Sequence, residues 1–140
     1  MLDIEQQPLT EALKRYIYAG FSRHAIAMTG YDEISDPVAF IAMDAEVLAG
    51  AIVVAKFWGA LHVKYVYVDD AYRGKGLATR LMKQAFAYGR ENKCPFAFVE
   101  TMSFQAQGFY QKMGFSLEFT RSGYIHGTSF HYLRKDLLAV

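Results

Sequence analysis

The nine residues Asp70-Ala-Tyr-Arg-Gly-Lys-Gly-Leu-Ala78 constrain this chain more than any other stretch. They join the apolar run His62–Val68 to a segment with apolar residues at helical spacing, which predicts a strand, a glycine loop and a helix in succession. Gly74 and Gly76, at alternate positions, let the backbone turn tightly without Cβ obstruction. The first N–H groups of the helix that follows have no intrahelical acceptor, and the helix dipole adds partial positive charge there. Such a junction suits phosphate, and Arg73 and Lys75 put full charges beside it. The glycines alone also fit a plain tight connection. Their spacing matches neither the P-loop nor the three-glycine dinucleotide fingerprint.

At 140 residues the chain is expected to form one domain, residues 1–140. A composition 53% hydrophobic and 16% aromatic excludes disorder, and a formal net charge of +1 gives no general attraction to nucleic acid or an anionic membrane. The single cysteine, Cys94, permits neither an intramolecular disulfide nor a multi-cysteine metal site, and no metal is expected. Residues 1–7 have neither the basic nor the apolar part of a signal peptide, and the most apolar stretch, Val47–Ala55, is too short to span a bilayer. The expected location is the cytoplasm.

Periodicity predicts a short first strand at Leu2–Gln6 and a helical region from Pro8 and Thr10 to about Met28, with a break at Gly20 as an option. Thr29–Pro37 reads as a loop. Val38–Met43 and Val47–Phe57 read as a hairpin turning at Asp44-Ala45-Glu46, and Trp58-Gly59 leads into a further strand through Val68. Past the glycine loop, Leu77, Ala78, Leu81, Met82, Ala85 and Phe86 make one apolar stripe, hence a helix to about Asn92. Phe96–Glu100 fits a buried strand, Ser103 can cap a helix from about Phe104 to Met113, and Phe115–Thr120 and Ser129–Leu133 are the last strands.

This order, with Arg73-Gly-Lys-Gly-Leu-Ala78 in place, resembles the GCN5-related N-acetyltransferase (GNAT) superfamily, in particular its small bacterial members. Three pieces carry the resemblance: Arg73-x-x-Gly76-x-Ala78, Tyr65-Val66-Tyr67-Val68 just before it, and Ala106-x-x-Phe109-Tyr110-x-Lys112-x-Gly114-Phe115. It covers about Val38 to Leu137 and is vague over the first 37 residues, where the family varies its acceptor site. The implied fold is α+β: a central mixed, mostly antiparallel twisted sheet of six to seven strands flanked by about four helices. The implied cosubstrate is acetyl-CoA. Its diphosphate would sit on Arg73, Gly74, Lys75, Gly76, Leu77, Ala78 and Thr79, and its pantetheine arm along Val66, Tyr67 and Val68. Ser103, Phe109, Tyr110 and Lys112 would complete the cofactor site. Ser103 stands where family members often carry an asparagine.

The implied activity is acetyl transfer to a primary amine of a small molecule or peptide, directly within a ternary complex. From spacing alone Tyr110 reads as a core aromatic beside Phe109; the resemblance makes it the candidate acid for the departing thiolate. An amine with a pKa of about 10.4 must lose a proton before it attacks. His62 lies where several family members place a glutamate base, and alternation puts His62, Lys64, Val66 and Val68 on one face. Glu100, at the end of its strand, is the other candidate base. Each also reads as an ordinary structural residue, His62 hydrogen-bonded in its strand and Glu100 as a solvated end. His24, His126 and His131 have less to recommend them, and Cys94 reads as a small buried filler. Asp32, Glu33 and Asp36 are options for attracting a cationic acceptor, and Tyr16, Tyr18, Phe21, Met28 and Tyr31 for lining its pocket, most of the latter being expected in the core. Two alternatives remain: a non-catalytic acyl-CoA sensor, and an acetyltransferase for an RNA-linked amine, against which the near-neutral charge counts. Dimerisation is common in the family and the aromatic load supports a homodimer, although no residue requires one.

Overall fold

A computed structural model describes residues 1–33 and 35–138. The chain divides into two compact units, Met1–Ile34 and Ser35–Val140. In the first, the Thr10 hydroxyl accepts from Leu13 N–H at 3.1 Å and so starts helix α1, Glu11–Thr29, which closes at Gly30 with a bond of 2.8 Å to Ile26 O. The helix runs unbroken through Gly20. Leu2 and Ile4, expected in a strand, are in no element and are 95% and 99% exposed. Tyr16, Tyr18, Phe21, Met28 and Tyr31 are exposed rather than core, and among the described residues of this unit α1 is the one helix. Ser22 donates to Asp32 at 2.5 Å, and the Tyr31 hydroxyl donates to Glu33.

The second unit is a six-stranded sheet: β1 (Val38–Asp44), β2 (Val47–Phe57), β3 (Ala60–Val68), β4 (Phe96–Met102), β5 (Ser116–Arg121) and β6 (Phe130–Asp136). Its spatial order is β1-β2-β3-β4-β6-β5, antiparallel throughout except between β3 and β4. Helix α2 (Leu77–Glu91) connects those two strands, as a parallel pair requires, and α3 (Gln107–Lys112) precedes β5. Among the described residues, three α-helices, with 3-10 turns at Asp70–Tyr72 and Ile125–Gly127, stand where about four helices are expected. Leu81, Met82, Ala85 and Phe86 of α2 bury against Ile52, Val54, Leu61, Val63, Ala97 and Val99. Met82 is 0% exposed, so truncating it to alanine is expected to cost about 2–5 kcal/mol. Gly50 lets this helix start close over the sheet, since a Cβ there would lie 2.7 Å from Tyr67 O and 3.2 Å from Leu77.

One irregularity decides where the candidate groups point. Val54 pairs with Val63, but Val53 pairs with Tyr65, which leaves Lys64 as an extra residue in β3. Such a bulge resets the alternation. Val63 and Val66 both face the core, opposite Val54 and Ile52. His62 shares the other face with Tyr65 and Tyr67, opposite Ala55, Val53 and Ala51. The expectation that His62 and Lys64 share a face with Val66 and Val68 is therefore corrected.

Candidate active site

The glycine loop departs from the end of β3. Asp69 N–H donates to Ala49 O at 2.8 Å, and the Tyr72 hydroxyl donates to Asp44 Oδ2 at 2.6 Å, which ties the loop to the β1–β2 hairpin. That bond to a carboxylate raises the Tyr72 pKa. Gly74 and Gly76 both take φ of 77°, a left-handed conformation that disfavours other residues. Gly76 occupies the N-cap of α2 without a side-chain cap, and the first amide to regain a helical partner is Arg80 N–H, on Gly76 O at 3.1 Å. Among the described residues, the N–H groups of residues 74–79 donate to no acceptor. Val68, Tyr72, Arg73, Gly74, Gly76, Leu77, Ala78, Thr79 and Phe109 surround a pocket of about 220 Å³ at this point. Six consecutive unpaired amides, four of them at a helix start, are what an anion needs. Arg73 donates from Nε to Val68 O at 3.2 Å and pairs with Asp70 at 3.0 Å. Lys75 lines a neighbouring pocket with Asp44 and Arg80, its ammonium 5.9 Å from the Tyr72 ring centre.

Strands β3 and β4 pair only at Leu61↔Ala97 and His62↔Phe98. Beyond that point β3 keeps β2 on one side and β4 keeps β6 on the other. Their facing edges, Val63–Val68 and Val99–Met102, diverge without a strand between them. Val66, Tyr67 and Val68 therefore lie on an open edge.

His62 and Glu100, two separate candidates in the sequence, meet where the strands part. His62 Nε2 lies 2.8 Å from Glu100 Oε2, with side chains 25% and 29% exposed. The His62 ring stacks on Phe98 at 4.5 Å with 4° between planes, which fixes its orientation. An ionised carboxylate only accepts, so the bond assigns the proton to Nε2 and leaves Nδ1 as the acceptor in neutral imidazole. Phe98 was not singled out from the sequence. Its signal was the alternation Phe96, Phe98, Glu100, which puts all three on one face of β4.

Tyr110 lies in α3, buried with its ring edge-on to Phe115 at 5.8 Å and Phe109 at 5.4 Å. Burial raises its pKa. Its hydroxyl makes no hydrogen bond, and among the described residues no buried side-chain oxygen lacks a partner, so the 9% of Tyr110 that is exposed includes the hydroxyl. The ring is core, as its spacing predicts, and the oxygen is accessible.

The capping expectation for Ser103 is corrected. Helix α3 begins only at Gln107, after Ala106, and Ser103 is instead held by Ser129, just before β6: its N–H donates to Ser129 O at 2.8 Å and its hydroxyl accepts from Ser129 N–H at 2.9 Å. Phe109 reaches the loop pocket, whereas Lys112 is exposed in the last turn of α3 and does not line it. His131 bonds Thr120 at 2.8 Å, His24 and His126 are exposed, and Cys94 is fully buried.

Residues 6–115 match the acetyltransferase (GNAT) family. Blasticidin-S acetyltransferase of Streptomyces morookaense is 43% identical over 91 residues, 64% of this chain and 67% of that protein, so the match spans about two thirds of that relative's length. The crystal structure of an acetyltransferase from Bacillus cereus ATCC 14579 superposes with a TM-score of 0.82 at 20% identity, covering 96% of this chain and 98% of that one. A structure assigned as a streptothricin acetyltransferase from Bacillus anthracis, in complex with acetyl coenzyme A, superposes with a TM-score of 0.66 at 25% identity over 76% of this chain and 66% of that one. The unpaired loop amides, the parted strands and these matches converge: the chain belongs to the GNAT family of acetyltransferases.

Proposed function

We propose that the chain transfers the acetyl group of acetyl-CoA to a primary amine of a small molecule, by direct attack in a ternary complex. The observation that carries this reading is the row of unpaired N–H groups at residues 74–79 around a pocket at the end of an open strand edge. The loop amides take the diphosphate, and the edge at Val66, Tyr67 and Val68 pairs with the amides of the pantetheine arm as a strand would. That direction brings the thioester along β3 toward His62. The complexed relative supports acetyl-CoA as cosubstrate, and the blasticidin-S enzyme supports a small-molecule acceptor.

In this reading the amine nitrogen attacks the thioester carbonyl carbon, forming the C–N bond as the C–S bond breaks. His62 Nδ1 takes the proton that the amine loses, with Glu100 holding the ring and stabilising the imidazolium. Tyr110 donates to the sulfur as it leaves, and the products are an amide and free CoA. A phenol with a raised pKa is a weak acid, so its donation is coupled to C–S cleavage rather than preceding it. The test is calorimetric titration with acetyl-CoA beside an amine panel monitored for free thiol. Micromolar binding with amine-dependent thiol release is expected. Binding without thiol release on the panel would contradict catalysis, and no binding would overturn the assignment of the loop.

A further inference from the structure

Lys64 is the extra residue of the β3 bulge and stands outside the register with β2, between Val63, which pairs with Val54, and Tyr65, which pairs with Val53. It also lies past Leu61 and His62, the two residues of β3 that pair with β4. Val63 and Val66 face the core, whereas Lys64 is exposed. Among the described residues its ammonium has no hydrogen-bond or ion-pair partner. The facing edges of the parted strands read Val-Lys-Tyr-Val-Tyr-Val over Val63–Val68 and Val-Glu-Thr-Met over Val99–Met102. Lys64 is therefore the one primary amine on either edge. The one carboxylate there, Glu100, is bonded to His62 at 2.8 Å. His62 lies two residues from Lys64, roughly 7 Å along the strand, a span that the flexible four-carbon stem of a lysine covers.

We infer that Lys64 is a self-acetylation site: with acetyl-CoA bound and no acceptor present, its ε-amine takes the acetyl group within the same chain. The inference rests on the acetyl-transfer reading above, which lays the thioester along this edge. Lys64 Nζ gives its ammonium proton to His62 Nδ1 and attacks the thioester carbonyl carbon. The C–N bond forms as the C–S bond breaks, the nitrogen loses a second proton, and the departing thiolate gains one. The products are Nε-acetyl-lysine, free CoA and one proton released to solvent. An amine held in the same chain as the bound thioester has the advantage of high effective concentration over any amine in solution. The step ends at one acetyl group per chain, because the amide nitrogen it creates is no longer a nucleophile. It also removes a positive charge two residues from the candidate base.

The test is mass spectrometry of the full chain incubated with acetyl-CoA and no amine, first intact and then as mapped peptides, with thiol release on an amine panel assayed separately. One acetyl group should appear at Lys64, with a rate constant independent of protein concentration and about tenfold or more above that of any other lysine. Lys64→Arg should remove the gain, and His62→Ala should slow it about 10²-fold. A gain spread over the lysines and unaffected by His62→Ala is ordinary chemical acetylation and would overturn the inference. A rate constant that rises in proportion to protein concentration would overturn it too, since the transfer would then run between chains. Amine-dependent thiol release with Lys64 unmodified would overturn the inference and leave acetyl transfer standing. Binding of acetyl-CoA with neither thiol release nor a gain at Lys64 would overturn acetyl transfer itself, and the inference with it.

Discussion

The two ends of β3 each carry part of the candidate site, and they are built from different material. The C-terminal end runs into a loop whose candidate groups are backbone amides, presented by two left-handed glycines and a helix start. The N-terminal end carries the candidate base His62, whose hydrogen-bond partner Glu100 is a side chain 38 residues away on another strand. The backbone site depends on conformation and is indifferent to most side chains. The side-chain site is the reverse: it tolerates backbone variation that preserves the pairing, and it depends on two identities and on the register between strands.

Substitutions can break that contrast. His62→Ala should lower kcat on the order of 10²–10⁴-fold, the usual contribution of a positioned base, while the acetyl-CoA Kd from calorimetry stays unchanged. Tyr110→Phe should follow, with kcat lower by about 10²-fold if the phenol is the acid. At the backbone end, Gly76→Val forces a β-branched residue to φ of 77° and should weaken acetyl-CoA binding about tenfold or more, because the left-handed conformation costs roughly 1–2 kcal/mol and the loop relaxes away from it. Arg73→Ala should have the smallest effect, less than about fivefold in Kd, since its pair with Asp70 is exposed and such pairs contribute little. If Arg73→Ala proved as damaging as Gly76→Val, the loop would be a side-chain site after all.

Tyr110 adds a pH test. Its pKa is raised in the folded chain, so the folded state holds its proton more tightly than the unfolded state. The stability from this residue is present below the unfolded value of about 10 and is lost as pH rises through the folded value. Thermal melts from pH 8 to 11 should therefore fall less steeply for Tyr110→Phe than for the parent chain. An identical slope would place the phenol in water.

The same contrast explains what could be read from the chain. The glycine loop was legible because glycines, charges and helix start are consecutive. Helix α2 and the β1–β2 hairpin were legible for the same local reason. His62 and Glu100 were legible as residue types but not as a pair, because the bulge at Lys64 reverses the face that alternation predicts. Ser103 misled as a cap because its hydroxyl answers to Ser129, far along the chain, and sequence spacing carries no such information. Leu2 and Ile4 show the strand alternation but no strand beside which to pair. The bond between Asp44 and Tyr72 left no local mark either.

The most direct test of the central claim is a set of amide ¹H–¹⁵N spectra recorded during titration with CoA. The account predicts that the largest shifts fall on residues 74–79, with a second set along Val63–Val68, and that phosphate-free pantetheine moves only the second. Shifts concentrated elsewhere, or a loop that does not respond while CoA binds, would contradict it.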